Sequence, residues 1–240
     1  MRRSAFRLKP PRELQRRVSK QMFWRVEEEW RGHTAAILGG GPSLSLGGCE
    51  AARAAGCKAI AVNNAYLLAA WADILYFADR HWWEWNHNEP GYRRFAGRKV
   101  TLENKRISFG QDGKPAEEPG VLALCNYGKD PVGLCFHRDG VHTGSNSGFQ
   151  AMNLAVHLGV KRILLLGFDM RIVGRRLQWH DLHQRPTPAD VYENHMIPAF
   201  EAAVNDLKAA GVEVVNCTPG SALKCFPVMT VEEAMCVSKT

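Results

Sequence analysis

His33-Thr34-Ala35-Ala36-Ile37-Leu38-Gly39-Gly40-Gly41-Pro42-Ser43-Leu44-Ser45-Leu46-Gly47-Gly48 is the stretch that decides the fold. Ala35 to Leu38 form a short apolar run, the mark of a buried strand. The run meets three glycines and then Pro42, a residue that fits the first turn of a helix. A strand that stops at glycines and restarts as a helix lets bare backbone approach a ligand. The N–H groups at such a helix start favour an anion, most often a phosphate. Gly39, Gly40, Gly41, Pro42 and Ser43 are therefore candidate nucleotide contacts. An ordinary tight strand-to-helix turn accounts for the same residues without a ligand.

The next strand, Lys58 to Val62, ends at Asn63 and Asn64. A dinucleotide-binding enzyme wants Asp or Glu there for the ribose hydroxyls, and a third glycine where Leu44 stands. An amide both donates and accepts hydrogen bonds, so the pair suits a base or ribose edge; capping a helix is the plainer use. No G-x-x-x-x-G-K-[ST] phosphate loop occurs, which argues against a P-loop kinase or ATPase.

The 240 residues are 45% hydrophobic, enough for one α/β domain with an extension. No run of about 18 apolar residues exists, so no membrane span is expected. Met1-Arg2-Arg3-Ser4-Ala5-Phe6-Arg7 is basic but lacks the apolar core of a signal peptide. Seven cysteines, an odd number without a C-x-x-C pair, read as reduced thiols in a cytoplasmic protein. The net charge of +7 is uneven: residues 1–31 hold ten Lys or Arg against four Glu. Leu14, Val18, Met22, Val26 and Trp30 recur every four residues, which predicts an amphipathic helix over 12–30. That basic arm, 1–31, either binds nucleic acid or another polyanion, or packs on the domain or on a second subunit of a homo-oligomer.

Residues 32–240 alternate short apolar strands with helical stretches. Strands are expected at 34–39, 58–62, 74–78, 98–102, 121–125, 161–166 and 212–216, and helices at 45–56, 64–71, 80–86, 146–158, 190–210 and 231–236. The pattern implies an α/β, Rossmann-like, doubly wound and mainly parallel sheet. Residues 86–140, rich in Gly, Pro and charge, read as an irregular insertion. Ligands of such sheets lie outside the carboxyl ends of the strands. Asp79 falls there, ahead of Trp82, Trp83 and Trp85. So does Thr143-Gly144-Ser145-Asn146-Ser147-Gly148, a second anion cradle at a helix start. Gly167 and Asp169 follow the most apolar strand. Residues 170–190 then read as a lid, carrying Arg171, Arg175 and Arg176 for phosphate and His180 and His183 as candidate general bases. His180, His183, His195 and Asp169 match no metal-binding spacing, and no metal site is expected. Ser43 and Ser145 lack a nucleophile elbow.

The glycine turn with Pro42-Ser43-Leu44, Val62-Asn63-Asn64, the Thr143–Gly148 bend and Leu158-Gly159-Val160-Lys161-Arg162-Ile163-Leu164-Leu165-Leu166-Gly167-Phe168-Asp169 together resemble a known superfamily. It joins the family 42 bacterial sialyltransferases, the DUF115 proteins of flagellin glycosylation and the archaeal hydroxymethylpterin diphosphokinases. Trp179-His180-Asp181-Leu182-His183 and the ending Gly211 to Leu223 look like phage and prophage members. The resemblance covers about residues 33–230 and implies a transferase. By it, Gly39, Gly41, Pro42, Ser43 and Asn63 hold the nucleotide, Thr143, Gly144 and Ser145 meet ribose and phosphate, Gly167 and Asp169 face the base, and His180 or His183 deprotonates the acceptor. It also implies no metal in catalysis. The chain departs from the family at Gly40, where an asparagine is usual, and after Asp169, where tyrosines assist the leaving phosphate; here the nearest is Tyr192.

The expectation is a glycosyltransferase using a nucleotide-activated sugar, with a CMP-type donor by resemblance. Two rivals stand beside it. One is an ATP-dependent pyrophosphokinase or nucleotidyltransferase needing Mg²⁺ on Asp79 and Asp169. The other is a phage DNA-modifying or DNA-binding protein using the arm.

Overall fold

A computed structural model describes residues 23–102, 120–128, 133–180, 182 and 188–237. Eight strands form one sheet: β1 (Thr34–Leu38), β2 (Lys58–Val62), β3 (Ile74–Phe77), β4 (Arg98–Leu102), β5 (Val121–Asn126), β6 (Gly140–Val141), β7 (Arg162–Leu166) and β8 (Glu213–Asn216). Their order is β6-β5-β4-β3-β2-β1-β7-β8, and every neighbouring pair is parallel. The chain steps outward from β1 to β6, then returns to lay β7 on the other side of β1. That reversal is a topological switch point, the place where open α/β sheets hold ligands.

Both faces are covered, which is why the inner strands are apolar throughout. On one face Ile37, Ile60, Tyr76 and Leu165 pack under α4 (Ser147–His157), α5 (Ile197–Ala202) and α6 (Val204–Ala209). On the other, Ala36, Leu38, Leu75, Phe77 and Leu164 pack under α1 (Leu46–Ala54), α2 (Arg80–Asn86), α3 (Pro90–Arg94) and α7 (Val231–Cys236). Each fully buried Leu, Ile or Phe contributes on the order of 1.5–3 kcal/mol. No helix among the described residues is long and apolar enough to cross a membrane.

The structure corrects several expectations. Residues 23–28 have no regular secondary structure rather than a helix, and most of the basic arm, 1–22, lies outside the described residues. The Trp24 N–H donates to Ala123 O at 2.9 Å and the Val26 N–H to Arg138 O at 2.8 Å. Trp24 also packs under the Arg98 guanidinium, 5.5 Å from the ring centre, and Glu29 pairs with Arg98 at 2.9 Å. That guanidinium holds the Glu29 carboxyl below the usual carboxylate range. Val26 and Trp30 are buried, so their spacing of four served a strap across the foot of the sheet, not a helix.

Within residues 86–140, the described parts supply α3, β4, β5 and the start of β6. The helix expected over 190–210 is interrupted by a π-helical turn at Tyr192–Met196 and restarts as α5. Pro198 in the first turn of α5 explains the break, because proline lacks an N–H and its ring clashes with the carbonyl four residues back. The stretch 64–71 forms only a 3₁₀ turn, Asn63–Leu67. Pro42 sits in a turn four residues before α1, not inside it.

Candidate functional site

A cavity of about 390 Å³ opens at the switch point, over the carboxyl ends of β1, β2, β3 and β7. Gly39, Gly40 and Gly41 line it after β1, Asn63 after β2, Asp79 after β3, and Gly167 to Arg171 after β7. Ser145 to Gly148, at the start of α4, close one side. Leu177 and Gln178 come from the lid, and Tyr192 and Met196 from the π-helical turn.

The glycine turn is bound to the exit of β7. Gly39 N–H donates to Leu166 O at 2.7 Å and Gly41 N–H to Gly167 O at 2.8 Å. A Cβ on Gly39 would lie 2.7 Å from Gly167 O; one on Gly41 would lie 2.6 Å from that oxygen and strike the Asp169 carboxylate. Packing thus demands both glycines, with or without a ligand. Asp169 is buried, and its Oδ2 accepts from Ser43 N at 3.1 Å and Ser43 Oγ at 2.7 Å. That oxygen therefore braces the turn, while Asp169 also lines the cavity.

The helix that follows the glycines does not open on this cavity, against expectation. Ser45 caps α1 by accepting from Gly48 N at 3.2 Å. Ser43, Ser45, Gly47 and Gly48 line a second cavity of about 480 Å³, opposite Glu232 and Glu233 of α7. Cys217 also faces it, its thiol pushed up to about 12 by burial, hence protonated and a poor nucleophile.

α4 is the helix whose start meets the main cavity. Asn146 caps it, accepting from Phe149 N at 3.0 Å. Ser147 and Gly148 stand in its first turn, where N–H groups have no intrahelical acceptor. Ser145 lines the cavity at φ 51°. Thr143 and Gly144 do not line it. Gly144 is a glycine because a Cβ there would strike the Phe149 ring. The Thr143 carbonyl accepts from Gln150 Nε2 at 2.7 Å, while its buried Oγ1 has no partner among the described residues.

Backbone strain concentrates here. Among the described residues four non-glycines have left-handed φ: Asn63 (52°), Ser145 (51°), Met170 (51°) and Arg175 (70°). The first three line this one cavity. Such conformations cost on the order of 1–3 kcal/mol each and cluster at functional sites. Asn63 Oδ1 is also buried without a partner among the described residues, a further cost of about 1–3 kcal/mol that a donor on a ligand would relieve. Asn64 points elsewhere: it is buried and accepts from Trp82 Nε1 at 2.6 Å, off the cavity.

The lid begins as a tight hairpin. Val173 and Arg176 exchange backbone bonds of 2.9 and 2.8 Å around Gly174 and Arg175, both at positive φ. That turn carries Arg175 and Arg176 into solvent, so of the three arginines only Arg171 lines the cavity. The chain then returns, and Trp179 N–H donates to Gly40 O at 3.2 Å. His180 is not among the lining residues; its Nδ1 accepts from Leu182 N at 3.0 Å, and its ring meets Trp179 edge-on at 4.8 Å. His183 lies outside the described residues. Asp79, at the exposed rim, caps α2 by accepting from His81 N at 2.8 Å.

Sequence reasoning passed over Gln178 and Met196 and placed no role on Tyr192. The π-helical turn swings Tyr192 and Met196 inward together, and only Pro198 hinted at it. Burial and the nearby Asp169 carboxylate push the Tyr192 phenol up. No group of three or more His, Cys, Asp or Glu suited to a metal occurs among the described residues.

No protein-family model matches the chain, and no curated protein matches its sequence. Solved structures that match its backbone include two glycosyltransferases. The MAf glycosyltransferase from Magnetospirillum magneticum AMB-1 superposes on 87% of this chain at TM-score 0.57 and 13% identity. The sialyltransferase CstII from Campylobacter jejuni, in complex with the substrate analogue cytidine-5′-monophosphate, superposes on 83% at TM-score 0.52 and 15% identity. The fold is one used by glycosyltransferases. The matched part makes up 86% of CstII but only 36% of MAf, so the chain spans about a third of the larger protein.

Proposed function

We propose that the protein is a nucleotide-dependent glycosyltransferase that takes a nucleotide-activated sugar in the switch-point cavity. The observation that carries the reading is the convergence of three left-handed non-glycine residues and the start of α4 on one cavity. A fold shared with a CMP-bound sialyltransferase supports a CMP-type donor. In this reading the first turn of α4 and Arg171 receive the phosphate. Asn63 reads the ribose or base through its unsatisfied Oδ1, and the Tyr192 phenol donates to the departing phosphate.

The acceptor's proton goes to a lid histidine, and His180 is the described candidate. In the arrangement observed its Nδ1 lone pair is taken by Leu182 N–H, so His180 serves as base only after the lid shifts.

A thermal-shift panel of CMP, UDP, GDP, ADP and ATP, with and without Mg²⁺, tests the reading. A ligand at 100 times its Kd adds about 2.7 kcal/mol, or roughly 5–10 °C for a chain of this size. No shift with any of them overturns the nucleotide site; a shift that requires Mg²⁺ moves the assignment to pyrophosphoryl transfer. With the donor known, His180→Ala lowers kcat at least about tenfold and leaves nucleotide binding intact. Unchanged kcat removes His180 as base.

A further inference from the structure

We propose that Gln178 is the lid's ligand-reading side chain, and that Gly40 lacks a side chain to leave it room. The inference rests on the nucleotide-site reading above. Gly39 and Gly41 are forced by the exit of β7, but Gly40 is not. Its φ lies outside the left-handed region. A Cβ built there would find nothing closer than Gln178 Oε1 at 3.9 Å and Cδ at 4.0 Å. Packing and backbone would therefore both accept a side chain at position 40. What a larger one would displace is the Gln178 carboxamide, which lines the cavity and makes no hydrogen bond among the described residues.

The placement of that amide is set by its neighbour. Trp179 N–H donates to Gly40 O at 3.2 Å, and the Trp179 ring packs against the apolar cluster beneath the sheet. Gln178 is thus one residue from an anchored point, over the middle of the glycine turn. A carboxamide presents a donor and an acceptor side by side and carries no charge. It suits the base edge or ribose hydroxyls of a nucleotide better than its phosphate, for which Arg171 and the start of α4 are the nearer partners.

The test uses the full chain and whichever nucleotide of the panel gives the largest thermal shift, titrated by calorimetry. Gln178→Ala is expected to weaken binding about tenfold, equivalent to about 1.4 kcal/mol, without lowering the melting temperature of the free protein. Adding Gly40→Asn to Gln178→Ala returns an amide to the same space and is expected to recover affinity to within about threefold of wild type. Adding Gly40→Leu, of like size and without polar atoms, recovers nothing. Wild type that binds no panel nucleotide overturns the site reading and this inference with it. Wild type that binds, with Gln178→Ala within twofold of it, overturns the inference alone. Recovery by both second-site changes, or by neither, assigns the loss to packing or lid position and overturns it too.

Discussion

Two Gly- and Ser-rich bends, Gly39 to Ser43 and Thr143 to Gly148, look alike as sequence and behave differently as structure. Each follows a strand and precedes a helix. The first supplies backbone to the cavity but sends its helix, α1, toward the second cavity. The second turns the first residues of α4 into the main cavity. In the first bend two of three glycines answer to the neighbouring strand exit; in the second, Gly144 answers to Phe149. A glycine-rich turn therefore marks a place where something comes close. In the first bend that something is the backbone at the exit of β7, more than a hundred residues away in the chain; in the second it is the nearby Phe149 ring.

The sharpest way to break this comparison is within the first bend. Gly41→Ala forces a Cβ onto the Asp169 carboxylate and within 2.6 Å of Gly167 O. The expected loss is about 3 kcal/mol or more, roughly 6–12 °C in Tm. Gly40→Ala meets only the Gln178 carboxamide, at an ordinary contact distance of 3.9 Å, and should stay within about 0.5 kcal/mol of wild type. Thermal melts of the pair decide it. Equal, small losses would mean that the turn yields and that ligand approach, not packing, explains its glycines.

Much of the sheet was legible because buried parallel strands leave short apolar runs between breakers. β2 and β4, and the helices α2 and α7, fall on the residues expected. β6 was not legible: two residues, one of them glycine, carry no periodicity. The strap at 23–30 was not legible because two buried residues four apart fit a helix as well as an irregular crossing. The site divides the same way. Residue type pointed to Asn63, Ser145 and Arg171, each of which lines the cavity. It also pointed to Asn64, which serves Trp82, and to Arg175 and Arg176, which the hairpin turns outward. Left-handed backbone at Asn63, Ser145 and Met170 has no one-letter signature, and neither does a π-helical turn.

The next comparison sets one helix start against the other. Ser45→Ala and Asn146→Ala each remove an N-cap acceptor and should cost about 1 kcal/mol of stability. Only Asn146→Ala should weaken nucleotide binding, by about threefold or more, since of these two helices it is α4 that presents its positive end to the cavity. Urea melts and nucleotide titrations on the two variants give the answer. Equal effects on affinity would show that the two helix starts share one ligand and would remove the distinction.

The smallest effect lies at the far end of α4, in its last turn. His157 is buried, and its Nε2 lies 3.0 Å from Gly140 O, tying α4 to β6. Burial lowers its pKa below the ordinary value of 6.5; Arg138 and His137 push the same way, against the Gly140 carbonyl and Asp139. The unfolded chain therefore takes up this proton at a higher pH than the folded one. Stability from a neutral His157 is full above about pH 6.5 and is lost as the pH falls through that value toward the folded pKa. Urea melts from about pH 7.5 to about pH 5.5 should show the decline, and His157→Gln should flatten it while keeping a donor for Gly140 O. The decline should have the same slope with nucleotide saturating, because β6 stands at the edge of the sheet, away from the switch point. A slope that nucleotide abolishes would tie both ends of α4 to one site, and the separation drawn between cradle and scaffold would fail at that helix.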